Sequence, residues 1–240
     1  MNSKVVPERG YLNLKSFFFC LILLGIPSNL FSNRFYDNSW TIGEWLISYE
    51  GGFVRRGLPG EVIYLISSTF SKSPIVLAWA ISVISLIALI ALIFHFCKST
   101  FNKSFLLSQL MILAPISGDY LVRKDAFLVC LYGLSLLALQ SLKKKILSKI
   151  ACMFFVNIFS IIAIMSHEGY GIWALPSLFI LIYIFERSHS KNIWRSLFTG
   201  LVILSPSLIA FFSCWFFKGN ADQSLSIHQS WQSIRDIIPS

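Results

Sequence analysis

Three short polar tracts interrupt an otherwise apolar chain of 240 residues, and each holds side chains able to do chemistry. The first runs Tyr49-Glu50-Gly51-Gly52-Phe53-Val54-Arg55-Arg56-Gly57-Leu58-Pro59-Gly60-Glu61. Its paired glycines open backbone conformations closed to other residues, and Pro59 suits the first position of a helix that follows. Arg55 and Arg56 then stand just before a helix N-terminus, whose partial positive charge already favours an anion. Either a phosphate answers these charges, or the two arginines reach out to lipid headgroups.

The second tract is Gly118-Asp119-Tyr120-Leu121-Val122-Arg123-Lys124-Asp125. Asp119 is placed to cap a helix, which leaves Arg123 and Lys124 in a first turn, against the helix dipole. A phosphate or pyrophosphate held by Arg123 and Lys124 relieves that conflict. A local ion pair of Arg123 with Asp119 at i,i+4 spacing does so too, and Asp125 supports either arrangement. The third tract, Ser166-His167-Glu168-Gly169-Tyr170-Gly171, sets a histidine beside a carboxylate. His167 and Glu168 fit a proton-transfer site or a phosphate contact, and equally a polar turn.

Other chemistries are excluded by what is missing. HExxH is absent, and no His or Cys stands at metal-ligand spacing, so no metal or other cofactor is expected, although a divalent ion is not excluded. No P-loop, GxSxG or GxGxxG occurs. Cysteines 20, 97, 130, 152 and 214 lie in or at the ends of apolar stretches with no CxxC pair, and read as small buried hydrophobes. His95, His189 and His228 have no partners nearby in sequence and read as structural.

The elements that hold these tracts follow from composition. Hydrophobic residues make up 55% of the chain, aromatic residues 15% and charged residues only 13%, with a mean hydropathy of +0.70. A soluble domain carries about 25% charged residues; half of that cannot cover a water-facing surface of this size. The chain is therefore expected to be an all-α, polytopic transmembrane bundle, a single integral membrane domain over residues 1–240. Spans need about 17–25 residues, and seven segments qualify or nearly so: 16–32, 74–97, 105–117, 126–141, 150–166, 172–185 and 196–217. Lys4, Arg9 and Lys15 precede the first, but no small-residue cleavage site follows, which reads as an uncleaved anchor.

With the N-terminus in the cytoplasm, segments 1–15, 98–104, 142–149 and 186–195 are inside and hold twelve basic and two acidic residues. The remaining segments hold eight basic and nine acidic residues. The formal net charge of +9 is thus an inside excess of +10 and an outside balance of −1, in keeping with the positive-inside rule. That removes the nucleic-acid partner that a pI near 9.4 would otherwise imply. The C-terminus falls outside. Residues 105–117, 126–141 and 172–185 are too short to span about 30 Å as helix unless they run on into the polar tracts. The long first outer loop, 33–73, is expected to carry two helices lying in the membrane interface, around Trp40–Tyr49 and Glu61–Ile66, where Trp and Tyr are favoured.

A multi-span chain with a long first outer loop of two helices resembles the GT-C type glycosyltransferases. The tracts YEGGFVRRGLPGE, GDYLVRKD and SHEGYG are also similar to motifs of bacterial surface-polysaccharide membrane proteins. The resemblance implies transfer of a sugar from a polyprenyl-phosphate carrier to a growing surface glycan at the extracytoplasmic face. The partners would be the lipid-linked carrier, a glycan acceptor, membrane lipids and other envelope-glycan assembly proteins. Glu50 is the first choice of general base, with Asp37 and Glu44 behind it. Arg55, Arg56, Arg123 and Lys124 would bind the carrier phosphate, while His167 and Glu168 assist proton transfer. The DxD-type acidic pair common in such enzymes is missing, which makes a metal-dependent mechanism doubtful. An O-antigen polymerase or ligase, or a non-enzymatic transporter or flippase subunit, is the alternative.

Overall fold

The computed structural model describes residues 39–97, 122–189 and 192–237. Apart from Ser39, these belong to one of the two units into which the chain divides, Trp40–Ser99 with Val122–Ser240. The described helices are α1 (Ser39–Trp45), α2 (Gly57–Phe70), α3 (Pro74–Cys97), α4 (Asp125–Lys143), α5 (Lys149–Ser166), α6 (Gly169–His189), α7 (Ile193–Phe216) and α8 (Ala221–Ile237). Among the described residues there is no strand.

Five of these helices, α3 to α7, are long and apolar enough to cross a membrane. They coincide with the spans expected at 74–97, 126–141, 150–166, 172–185 and 196–217; those at 16–32 and 105–117 lie outside the described residues. The two that looked short become helices of 19 and 21 residues, because α4 and α6 run on to Asp125 and Lys143, and to Gly169 and His189. At about 1.5 Å per residue, 19 residues rise roughly 28 Å, enough to cross. Local signals set several ends. Pro74 occupies the first turn of α3. The Ser148 hydroxyl accepts from Ala151 N at 3.2 Å, and the Asn192 side chain accepts from Arg195 N at 3.1 Å.

The helices pack α3 on α4, α4 on α5, α5 on α7 and α6 on α7, with α2 against α3 and α5. Two pairings fix direction. His95, near the end of α3, bonds Gln140, near the end of α4, at 2.9 Å, while Ala78 and Val122 share a core at their starts. These two helices therefore run parallel, and Cys97 and Val122 stand at opposite ends of the bundle. Lys149 at the start of α5 meets Glu186 near the end of α6 at 2.6 Å, which makes α5 and α6 antiparallel. Between α5 and α7, the Asn157 amide donates to Ile203 O at 2.9 Å and its oxygen accepts from the Ser207 hydroxyl at 2.7 Å, while its other N–H bonds Met153 O of its own helix at 2.9 Å. Such interhelical bonds replace the hydrophobic drive that lipid does not supply. The outward faces are apolar: Phe154, Ile180, Phe198, Ile209 and Phe212 are all exposed.

The two short helices of the first long loop exist as α1 and α2; Phe70 of α2 is exposed, whereas Trp45 of α1 turns inward. Trp45 is fully buried with Ile42 of α1, Ile63 of α2, Ala78 of α3 and Val122. Glycine makes this seating possible. A Cβ on Gly60 would stand 2.0 Å from the Ile47 carbonyl oxygen, and one on Gly57 would stand 2.3 Å from the Tyr49 ring. The helix also starts earlier than Pro59 indicated, at Gly57, with Pro59 inside a first turn whose N–H groups lack intrahelical partners anyway.

Helix α8 lies where only an outer tail was expected. Its start is a reciprocal cap: Asn220 accepts from Gln223 N at 2.9 Å, and Gln223 accepts from Asn220 N at 3.1 Å. The Trp231 indole donates to Leu46 O at 2.7 Å and meets Tyr64 of α2 edge-on, centroids 5.3 Å apart.

Gly60→Ala is expected to lower the unfolding midpoint in detergent, by about 1–3 kcal/mol of stability, since the obstacle is backbone. Gly43→Ala, with nothing within 4 Å of the added carbon, leaves the midpoint unchanged.

Candidate functional site

The three polar tracts meet at one end of the bundle. Glu168 occupies the link between α5 and α6, and Arg56 reaches it with two parallel bonds: Nε to Oε2 and Nη2 to Oε1, both 2.8 Å. This fork is the strongest geometry a guanidinium and a carboxylate can adopt. Arg56 Nη1 also donates to Glu44 Oε1 of α1 at 3.1 Å, and Arg55 Nη1 stands 3.2 Å from Glu168 Oε1. Three of the five N–H groups of Arg56 are thereby used.

Lys124 carries the second tract into the same cluster. Only 2% exposed, it donates from Nζ to Ser166 O at 3.2 Å and to Arg56 O at 3.3 Å. The ammonium also lies over the Trp45 ring, 5.7 Å from its centroid. Trp45 in turn donates its indole N–H to Val122 O. Arg56 itself has φ 65° and ψ 8°, a left-handed backbone that costs a non-glycine residue roughly 1–3 kcal/mol. The cluster thus holds a strained arginine immediately before α2.

Charges in the cluster are strongly perturbed. Burial alone would raise the Glu168 carboxyl, but its hydrogen bonds and the nearby Arg56 and His167 charges bring it down to about 2. Burial pushes the Lys124 ammonium down to about 7, with the Arg56 charge adding to the effect against Glu44 and Glu168. Burial, then Arg56, lowers His167 as well, so its imidazole is neutral near pH 7. Its Nδ1 accepts from Gly169 N at 3.1 Å, which assigns the remaining ring proton to Nε2. Glu61, also in the first tract, accepts from Tyr49 N at 2.8 Å and closes the turn that aims the arginines.

Beside the cluster lies a cavity of about 590 Å³, bounded by α1, the turn before α2 and the face of α8. Arg55, Arg56, Lys218 and His228 are in its lining, and among the described residues no carboxylate is. Its size falls within the range of small-molecule sites.

The expected site residues divide into those the fold gathers and those it does not. Glu44, Arg55, Arg56, Lys124, His167 and Glu168 come together. Glu50 is exposed on the turn, and Arg123 pairs with Asp125 at 2.9 Å at the surface. Asp37 and Asp119 lie outside the described residues. Helix α4 starts at Asp125, so Arg123 and Lys124 precede it instead of filling its first turn. Before α2, Glu168 and Glu44 both stand against Arg56. Three contributors went unread in the sequence: Trp45 as the seat of Lys124, and Lys218 and His228 as cavity lining. The Asn220-x-x-Gln223 cap was the available sign of the helix that brings His228 there. Among the described residues, no group of His, Cys, Asp and Glu forms a metal-holding cluster.

Five membrane-crossing helices with a charged cluster at one end define a multi-pass membrane protein. The chain belongs to the family described as Uncharacterised membrane protein Rv1490, which matches residues 17–229. Comparison with curated proteins and with solved structures found no match.

Two outcomes follow from the cluster. Glu168→Gln is expected to cost about 2–3 kcal/mol, because Arg56 keeps a partly buried charge with only Glu44 to answer it; thermal unfolding in detergent measures this. Lys124 has a folded-state value of about 7 against 10.5 unfolded. It binds fewer protons folded than unfolded between these limits, so its contribution rises with pH across that window and is flat below it. The unfolding midpoint of Lys124→Met should therefore rise less between about pH 7 and about pH 9.5 than that of the wild type.

Proposed function

We propose that this protein is a bacterial inner-membrane glycosyltransferase of GT-C type. It takes a sugar from a polyprenyl-phosphate carrier at the extracytoplasmic face, with its N-terminus in the cytoplasm. The observation that carries this reading is the cavity whose lining holds Arg55, Arg56 and Lys218 and, among the described residues, no carboxylate, at the end of the bundle where several apolar helices terminate. A lipid-borne phosphate arrives at that depth, and arginine is the side chain best suited to grip two of its oxygens.

In the reaction, an acceptor hydroxyl oxygen forms the new bond to the anomeric carbon while the bond from that carbon to the phosphate oxygen breaks. The bonding electrons leave on the phosphate, where Arg55 and Lys218 stabilise the developing charge. The hydroxyl proton passes to a carboxylate. Glu44 stands just behind the lining, next to Gly43 and bonded to Arg56 at 3.1 Å, and it takes precedence over Glu50 and Asp37. Glu168, held near 2 by its surroundings, is a weak base and acts by fixing Arg56. His167, neutral and carrying its proton on Nε2, is a hydrogen-bond donor beside it.

Membranes containing the protein, supplied with polyprenyl-phosphoryl hexose labelled in the sugar, should transfer the label to a glycan fraction. Arg55→Ala and Glu44→Gln should each reduce that transfer about 10²-fold with membrane insertion intact. Wild-type rates in both variants would remove this assignment.

A further inference from the structure

The cavity has two chemically different walls. One is cationic, from the turn that carries Arg55 and Arg56. The other is the face of α8, where Gln223, Ser224, Ile227, His228 and Trp231 follow one another at helical spacing. That second wall offers an amide, a hydroxyl, an imidazole and an indole ring, with no formal negative charge. Trp231 spends its N–H on Leu46 O at 2.7 Å and is braced by Tyr64, so what it adds to the cavity is rigid ring surface. Ser224 and His228 are exposed. The Ser224 side chain both donates and accepts, as does a neutral imidazole.

Hydroxyl-bearing rings are recognised by this combination: neutral donors and acceptors beside an aromatic face. A purely anionic ligand has no use for it, and a purely apolar one would leave its polar groups unanswered. From this juxtaposition we infer that the α8 wall is the subsite for the hydroxylated group carried on the phosphate, a hexosyl residue, with Ser224 and His228 reading its hydroxyls against Trp231. The inference rests on the reading of the cavity as a lipid-phosphate site and specifies which wall holds which part of the ligand. A glycerol phospholipid headgroup shares the chemistry, since it too joins a phosphodiester to hydroxyls, and the test separates the two.

Full-length protein in phosphatidylcholine nanodiscs is titrated with bare polyprenyl phosphate, polyprenyl-phosphoryl glucose, polyprenyl-phosphoryl mannose and phosphatidylglycerol. The wild type should bind at least one hexosyl carrier about tenfold more tightly than bare polyprenyl phosphate or phosphatidylglycerol. The double variant Ser224→Ala, His228→Ala, both at exposed positions, should bring hexosyl affinity down to that of the bare carrier and leave bare-carrier binding unchanged. Arg55→Ala should weaken both. Equal wild-type affinity for bare and hexosyl carriers, equal weakening of both by the double variant, or tightest binding of phosphatidylglycerol overturns the subsite while leaving the phosphate reading standing. Failure of the wild type to bind any polyprenyl phosphate removes that reading, and the subsite with it.

Discussion

Arg56 and Glu168 are 112 residues apart in sequence, and their paired hydrogen bonds organise this end of the protein. In a chain with few charges and little water around its helices, a carboxylate between two apolar spans is tolerable only with a partner of opposite charge and matching shape. The guanidinium fork supplies both. Once it is in place, the neighbours have positions assigned to them. Glu44 is drawn to the remaining side of the fork, and Arg55 lies against Glu168. The Arg56 carbonyl is turned, by a left-handed backbone, to where Lys124 uses it. The local strain at Arg56 is offset by three segments distant in sequence, which is how a structure over-determines an unfavourable conformation.

The bundle below is built on a compatible economy. At Asn157 both amide donors and the oxygen are used, on Ile203 and Ser207 of α7 and on Met153 of α5 itself. At the far end an ion pair joins two helices, where Lys149 meets Glu186. Between these ends the helices meet through small residues, as where Gly171 abuts Phe211 and Gly200 abuts Phe179. Small residues let helices approach closely where lipid gives no hydrophobic reason to do so. The result is a stiff support with its charges gathered at the two ends, and a cavity that borrows one wall from the helix-start arginines and the other from α8.

Much of this was legible in the residues themselves. Apolar runs of sufficient length announce membrane helices irrespective of tertiary detail, and all five of the described crossings fall where hydropathy puts them. The charged tracts were legible too, because charge beside a membrane segment is expensive and so conspicuous. What the sequence hid was the pairing. Nothing local distinguishes Arg56 from Arg55, or Lys124 from Arg123, yet one of the second pair is buried under a tryptophan and the other faces outward against Asp125. Trp45 looked like an interfacial aromatic for a similar reason: amphipathic spacing gives the face of a helix but not what covers it. The glycines at 57 and 60 were the missing clue, since they permit a backbone approach that puts that face inward. Helix α8 escaped notice because its composition is polar, and only its cap declares it.

Lys124 makes its two hydrogen bonds to main-chain oxygens, of Arg56 and of Ser166, and to no side chain. It therefore senses the course of two distant stretches of chain, while the charges of Arg56, Glu44 and Glu168 around it set how readily it carries its proton. Ser166 itself is fully buried with its hydroxyl on Ile162 O, so a bulky side chain there would displace the very oxygen that Lys124 uses. How the three tracts meet is thus written in main-chain positions and read by one buried cation.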